Sequence, residues 1–206
     1  MTDIQAGIGL SSGLFKKILA VSKSHVHRVI ADLTPRIAAF FRDAKAHERR
    51  SSWVIDGTLV PTRDHAAAAK SKNYRWSCNL QVLIRRRDLH VIELSGGGPG
   101  NRNDPIHYRG SSVERLSGWH GRVRADGGYR GVPELITPRF ARNRIVRDEA
   151  WRRHRRRHAR VEHAIARLKN WRVLRDYRRR GNTLLDTARA VAFLHNEKVE
   201  ALRDSS

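Results

Sequence analysis

Two aspartates in this chain stand at positions where surface acids are rarely found. Asp56 follows the apolar run Trp53–Ile55 and precedes a glycine, and Asp126 follows Val123–Ala125 and precedes two glycines. Each pattern predicts an acid at the end of a buried strand, where glycine lets the backbone turn sharply. A buried carboxylate is costly unless an arginine, a divalent cation or the amides of its own turn compensate its charge. The pattern alone leaves all three partners open.

A third acid, Glu162, stands in the most basic stretch of the chain. It is the only acid between residues 149 and 176. Glu162 and Lys169 are seven residues apart, which places them two turns apart on one face of a helix. The glutamate can therefore face a metal ion while the lysine lies along a phosphate. The competing interpretation is a solvated helix face on which Glu162 pairs with Arg155, His158 or Lys169.

Three carboxylates in one site suit a pair of hard divalent cations. Carboxylate oxygens favour Mg²⁺ or Mn²⁺, whereas zinc favours cysteine and histidine ligands. Two such ions about 4 Å apart can activate a water or a DNA 3′-hydroxyl and stabilise the leaving oxygen during attack on phosphorus. His154 and His158 have the i,i+4 spacing of a zinc pair, but chance or phosphate contact explains them better in a chain with 11 histidines.

Asp104 has a structural interpretation as well as a functional one. It precedes Pro105, and an aspartate before a first-turn proline commonly caps a helix. Upstream, the segment Gly96–Gly100 is rich in glycine but lacks the lysine and the serine or threonine of a phosphate-binding loop. The sequence therefore gives no support to nucleotide hydrolysis.

The charge of the chain points to a polyanionic partner. Its 206 residues contain 42 lysines and arginines against 20 acids, a net charge of +22, and residues 139–180 hold 17 of these bases and 4 of these acids. A field of this strength favours nucleic acid. The single cysteine, Cys78, excludes a disulfide framework and a multi-cysteine zinc module. Because neither a long apolar run nor a signal-peptide pattern is present, we expect a cytoplasmic protein that contacts no membrane.

Apolar runs and helical patterns alternate after residue 50. Four runs bounded by glycine, asparagine or charged residues predict strands, at Trp53–Ile55, Leu80–Ile84, His90–Leu94 and Val123–Ala125. Helices are predicted over Ser111–Leu116, Asp148–Leu174 and Thr183–Leu202, with a helix turn at Leu135–Ile136 and a last strand at Arg144–Val146. This order predicts an α/β fold in which helices cover a mixed sheet. The two aspartates then lie at strand ends, and Glu162 lies on a long helix.

The first 48 residues have a different, helical pattern. Apolar residues recur at three- and four-residue steps from Ser11 to Glu48, and Pro35 is expected to divide the last part into two helices. Ser22 can cap a helix whose basic side chains include Lys23, His25 and Arg28. A helix, a short turn and a basic helix are typical of a helix-turn-helix that binds DNA. A plain packing hairpin has the same pattern.

Four motifs in one order resemble those of the DDE transposases of bacterial insertion sequences, in particular their endonuclease-like branch. The motifs are Asp56-Gly57-Thr58, Gly100-Asn101-Arg102-Asn103-Asp104, Ala125 to Tyr129, and Val161 to Lys169. The resemblance covers residues 51–197. Asp126 and Glu162 are separated by 35 residues, the interval for which that superfamily is known.

The resemblance implies a fold, an activity and a set of site residues. The fold is a ribonuclease-H-like mixed sheet flanked by helices over residues 50–206, preceded by a partial helix-turn-helix in residues 1–48. The activity is metal-dependent cutting and joining of DNA, in a homodimer or higher oligomer at the bacterial nucleoid. Asp56, Asp126 and Glu162 hold two Mg²⁺ or Mn²⁺ ions and carry the catalysis, and Asp104 lies near them without being a ligand. The implied DNA contacts are Lys169, Arg160 and Arg167, with Lys23, His25 and Arg28 in the N-terminal segment.

Two departures from the family pattern keep a second hypothesis open. Full-length relatives have a longer N-terminal region, so this chain has the pattern of a truncated copy. Ahead of Glu162 the chain has Arg155 and His158 where many insertion-sequence enzymes have tyrosine and arginine. The alternative is therefore an inactive, basic DNA-binding remnant. Against it, a binding protein gains nothing from three carboxylates that repel phosphates unless a metal intervenes.

Overall fold

The computed structural model describes residues 22–43, 51–71, 74–180 and 183–204, which form a mixed sheet flanked by helices. The strands are β1 (Trp53–Pro61), β2 (Ala69–Lys70), β3 (Trp76–Arg85), β4 (Val91–Pro99), β5 (Val123–Arg124), β6 (Leu135–Ile136), β7 (Phe140–Ala141) and β8 (Arg144–Ile145). The helices are α1 (Lys23–Asp43), α2 (Asp104–Tyr108), α3 (Ser112–His120), α4 (Glu149–Lys169) and α5 (Leu184–Asp204). The predicted α/β class is confirmed, and the architecture agrees with a ribonuclease-H-like fold.

The central strand β1 has a different kind of neighbour on each side. It pairs antiparallel with β3, whose other edge pairs with β2 and β4. On its other side β1 pairs parallel with β5, and β5 pairs parallel with β6. Because β5 ends at Arg124, which lies opposite Val54, its carboxyl end lies beside the first half of β1.

The two faces of the sheet are covered by different helices. Val54 and Val60 of β1 belong to a core shared with α4 and α5. Trp53 and Ile55 belong to a second core beside α2 and α3. This assignment follows from the strand period of two residues. It also places Asp56 on the face that α4 covers.

The long basic helix α4 begins as the sequence predicts and ends earlier. Asp148 caps it by accepting a hydrogen bond from Trp151 N at 2.8 Å. The buried stripe is formed by His158, Val161, Ala164 and Leu168. The helix ends at Lys169 rather than at Leu174, because the chain turns there so that Leu174 enters the core.

The prediction that Pro35 separates two helices is wrong. The chain forms one helix from Lys23 to Asp43 with Pro35 inside it. Packing outweighs the local cost of the proline, since Ala38 and Phe41 are buried and the rings of Phe40 and Phe193 of α5 lie 5.8 Å apart. Ser22 caps α1 as predicted, accepting from His25 N at 3.1 Å. The first helix of the predicted helix-turn-helix, within residues 11–20, lies outside the described residues.

Two short elements after Asp126 also differ from the prediction. Leu135–Ile136 forms a strand rather than a helix turn, because it pairs with β5. Arg144–Ile145 pairs only with β7, in a hairpin apart from the main sheet. Its turn residues Arg142 and Asn143 have φ values of 47° and 62°, as two-residue hairpin turns require.

None of the helices in the described part of the chain is long and apolar enough to cross a membrane.

Candidate active site

Asp56 lies within β1, and Asp126 follows the end of the parallel strand β5 by two residues. β1 and β5 pair in the register Val54↔Arg124, so each aspartate follows a paired residue by two positions. Side chains on one face of a strand repeat every second residue, so both carboxylates point to the face that α4 covers. Neighbouring strands are about 4.8 Å apart. The sheet therefore brings these two acids together although 70 positions (126 − 56) separate them in the sequence.

Each aspartate accepts one hydrogen bond from its own turn. Gly57 N donates to Asp56 Oδ1 at 2.9 Å, and Gly128 N donates to Asp126 Oδ1 at 2.9 Å. Asp126 thereby caps the short 3₁₀ turn Gly127–Tyr129. The alternative that turn amides satisfy these acids is thus correct for one oxygen of each. No lysine or arginine among the described residues forms an ion pair with either carboxylate.

Asp56 is the most strongly perturbed acid of the site. Burial and the charges of Asp126, Asp104 and Glu162 raise its pKa to about 7, although the hydrogen bond from Gly57 N acts the other way. Negative charge is therefore concentrated at this point of a chain whose net charge is +22. A bound cation would lower this electrostatic cost.

Glu162 lies on α4 near the two aspartates, but its side chain is largely exposed. Arg160 donates to the carbonyl oxygens of Arg86 and Arg87, and Lys169 Nζ donates to Leu59 O at 3.0 Å, so α4 runs along β1. Glu162 lies between these two anchors and is close enough to affect Asp56. Its side chain is 65% exposed, and its Oε1 lies 3.8 Å from His158 Nδ1. Within the described ranges, no three acidic, histidine or cysteine side chains lie close enough together to hold one ion.

The predicted DNA-binding residues divide into two groups. Arg160 and Lys169 use their donors on backbone carbonyl oxygens of this chain, and burial lowers the pKa of Lys169. The other four are exposed: Arg167, Lys23, His25 and Arg28.

Of the two roles predicted for Asp104, a position near the site or a helix cap, the cap is wrong. Helix α2 begins at Asp104 itself and follows Asn103. The Asp104 carboxylate instead accepts hydrogen bonds from Asn79 Nδ2 at 2.7 Å and Gln81 Nε2 at 3.2 Å. It also fills the space beside Gly57, where an added Cβ would lie 1.9 Å from Asp104 Oδ1. Asp104 therefore lies next to Asp56, on the opposite face of β1.

Sequence reasoning missed the partners of Asp104. Gln81 is fully buried, and its Oε1 accepts a hydrogen bond from the hydroxyl of Tyr129. Burial and the charges of Asp104, Asp56 and Asp126 raise the pKa of Tyr129, so this hydroxyl keeps its proton and donates. The available signal was Asn79 and Gln81 themselves, two polar residues at alternate positions in an otherwise apolar strand.

His154 attaches helix α4 to the strand end before Asp126. His154 Nε2 lies 2.9 Å from Ala125 O, directly before Asp126. Its ring stacks on that of His158 with the centroids 6.4 Å apart. This contact fixes the first half of α4 against the strand end that carries Asp126.

Comparison with known proteins identifies the family of this chain. The family model of the transposase DDE domain matches residues 48–196. The chain belongs to the DDE transposase family. It is 37% identical over 183 residues to a protein of Streptomyces albus G named as a transposase for insertion sequence element IS112, covering 87% of this chain and 70% of that protein. No solved structure shows a significant match.

The residues of this transposase fit the divalent metal that a DDE domain implies. Asp56 and Asp126 offer carboxylate oxygens, the ligands that hard cations prefer. Their repulsion and the absence of an ion-pairing base among the described residues leave a charge that a cation would compensate. An open cleft of about 400 Å³ beside them is lined by Gly57, Thr58, Asp104 and Gly128.

Proposed function

We propose that this transposase cuts and joins DNA by phosphoryl transfer that depends on Mg²⁺ or Mn²⁺. Asp56, Asp126 and Glu162 would hold two such ions, which β1, the turn after β5 and helix α4 bring to one place. The observation that carries the proposal is the half-buried Asp56 beside Asp126, without a described basic partner, in a chain of net charge +22.

The sheet and helix α4 position the three acids for this chemistry. When bound, two divalent ions activate the attacking hydroxyl and stabilise the leaving oxygen. Asp56 and Asp126 are fixed by the sheet and by their turn amides. Glu162 is carried by α4, which Lys169 anchors to β1. Because the exposed Glu162 is the least constrained of the three, we infer that it completes the site when DNA and metal are present.

The path of the DNA follows the unpaired arginines near Asp126. Phe140 and Ile145 of the β7–β8 hairpin pack over Gly127, where an added Cβ would lie 3.3 Å and 3.1 Å from them. Arg142 and Arg144 of the hairpin are exposed, and neither forms an ion pair with a carboxylate of the described residues. Further exposed arginines line α4: Arg152, Arg153, Arg155, Arg156 and Arg157. We infer that this surface binds the phosphates that flank the cleaved bond.

The proposal extends to assembly and to the N-terminal segment. Transposition joins two element ends to one target, and each chain offers one candidate site, so we infer that two or more copies act together on DNA. Residues 1–48 would add DNA contacts through Lys23, His25 and Arg28, which are exposed on α1. Residues 50–206 would form the catalytic domain.

The decisive experiment separates DNA binding from cleavage. Binding of the full chain to plasmid DNA should persist in chelator and weaken steeply with salt, because lysine and arginine displace counterions. Cleavage of the same supercoiled plasmid should require Mg²⁺ or Mn²⁺. Filter binding and gel analysis of nicked and linear products measure the two. Robust cleavage in excess chelator would exclude the mechanism, and binding without cleavage in any metal would favour the inactive remnant.

The hairpin arginines should contribute phosphate contacts. Replacing Arg142 and Arg144 with alanine should make the slope of log K against log salt shallower by about 1.8, since each phosphate contact contributes about 0.9. The matched control replaces Arg115 and Arg122, two exposed arginines on or next to α3, which covers the other face of the sheet. The control should leave the slope within error of the original. Equal changes in both variants would mean that net charge, not the hairpin, sets the affinity.

A further inference from the structure

A buried chain of polar side chains lies beneath the two aspartates. The hydroxyl of Tyr129 donates to Gln81 Oε1, and Gln81 Nε2 donates to Asp104 Oδ1 at 3.2 Å and to Asn79 Oδ1 at 2.8 Å. Asn79 Nδ2 in turn donates to Asp104 Oδ1 at 2.7 Å. Tyr129 and Gln81 are fully buried, and Asn79 is 3% exposed. A buried network in which each member is paired holds its parts in one arrangement.

This network joins the two segments that carry the acids. Tyr129 ends the 3₁₀ turn that Asp126 caps. At the other end, the Asp104 carboxylate lies against Gly57, which directly follows Asp56. The connection runs through β3 on the face opposite to α4, so its members do not occupy the space between Asp56 and Asp126.

The ring of Tyr129 strengthens the same connection. It meets the ring of Tyr108, at the end of α2, edge to face with the centroids 5.9 Å apart. Helix α2 is therefore attached at its first residue through Asp104 and at its last through Tyr108. The loop before α2, one wall of the cleft, is held in place by the same side chains.

Such support is needed because the acids repel each other. Asp56 on β1 and Asp126 just after β5 carry like charges, and β5 contributes only two paired residues to its ladder with β1. Although β5 also pairs with β6, backbone hydrogen bonds hold it to the strand of Asp56 over only this short length. A side-chain connection through β3 opposes the separation that repulsion favours.

We propose that Tyr129 and Gln81 are positioning residues that keep the turns of Asp56 and Asp126 at the separation needed to bind divalent metal. The inference rests on the proposed function, since it assigns these residues to the same metal site. Neither residue touches the metal or the DNA. Each acts through the backbone segment that carries an acid.

The test measures metal binding, because a merely structural role would not change it. In the full chain without DNA, Tyr129→Phe should weaken Mn²⁺ binding by ~10-fold or more in calorimetric titration, the usual range for residues that support metal ligands. The matched control is Tyr177→Phe, which removes a buried hydroxyl that contacts Thr183 Oγ1 at 2.5 Å at the far end of β1. The control should lower the melting temperature and leave Mn²⁺ affinity within twofold.

A triple variant separates positioning from stability. Gln81 Nε2 also donates to Asn79 Oδ1, so Tyr129→Phe and Gln81→Met are combined with Asn79→Leu. The three changes remove the buried donors and acceptors together and leave only Asp104, which borders the open cleft, so the melting temperature should recover. Mn²⁺ affinity should stay low. Recovery of affinity together with melting temperature, or a Tyr129→Phe variant that binds Mn²⁺ within twofold of the original chain, would overturn the inference alone. An original chain that binds no Mn²⁺ would overturn the proposed function as well.

Discussion

Replacing Asp56 with asparagine is expected to reduce metal-dependent plasmid cleavage by about 10³-fold or more, while DNA binding stays equal or tightens. An amide is a poor ligand for a hard cation. The substitution also removes a negative charge from the neighbourhood of bound phosphates. Because the half-buried Asp56 lies near Asp126, losing its charge relieves repulsion. The melting temperature without metal should therefore be equal or higher.

The combination of lost activity and retained stability makes this result specific. The control is Asp32→Asn, which makes the same charge change at an exposed acid of α1 that pairs with Arg36 at 3.1 Å. It should leave cleavage within twofold. Cleavage by the Asp56 variant within tenfold of the original chain would remove Asp56 from the site. A large fall in its melting temperature would instead indicate that Asp56 is a structural acid.

Local patterning predicted the level of the two aspartates in the sheet better than the length of the strands. An apolar run followed by an acid and glycine predicts a strand end, and Asp126 does follow the end of β5 by two residues. Asp56 instead lies inside β1, which continues to Pro61 and pairs with β3 along its whole length. The errors arose where distant packing outweighs local preference. Pro35 stays inside α1 because α5 packs along that helix, and Leu135–Ile136 becomes a strand because β5 is available to pair with it.

The support beneath the site could not be predicted from spacing. Gln81 and Tyr129 are separated by 48 positions, and no periodic pattern links them. Asp104 is a second example. Its position before Pro105 favours a helix cap, but its carboxylate accepts hydrogen bonds from Asn79 and Gln81 of β3, which lie 25 and 23 positions earlier in the sequence. Only the antiparallel register of β1 and β3 brings these groups together.

The high net charge of the chain does not neutralise the acids. The basic side chains closest to the inner face of α4 use their donors elsewhere: Arg160 binds the carbonyl oxygens of Arg86 and Arg87, and Lys169 binds that of Leu59. The cationic surface and the acidic site are therefore separate features of one helix. This separation favours an enzyme over a simple DNA-binding protein, which would have no reason to keep acids unpaired beside its basic face.

Glu162 tests that distinction most directly, because it lies where the two features meet. Glu162→Gln keeps the size of the side chain and removes one charge. If Glu162 holds metal, cleavage should fall by several orders of magnitude while DNA binding stays equal or tightens. If the exposed Glu162 side chain only pairs with His158, 3.8 Å away, the fold should lose ~0–1 kcal/mol and cleavage should not change.

Helix α4 also contains a matched control for the loss of charge in Glu162→Gln. Glu149 lies in the first turn of α4, about 20 Å from Glu162 along the helix axis, and faces Arg152, Arg153 and Arg156 at 3.5–3.7 Å. Glu149→Gln therefore removes the same charge from the same basic helix, away from Asp56. It should tighten DNA binding as much as Glu162→Gln does and leave cleavage intact. If DNA binding tightens equally in the two variants, the loss of charge cannot explain a loss of cleavage. A loss of cleavage in Glu162→Gln alone would then require that Glu162 holds metal. Undiminished cleavage by the Glu162 variant, measured on supercoiled plasmid with Mn²⁺, would leave α4 as a DNA-binding helix with no part in the chemistry.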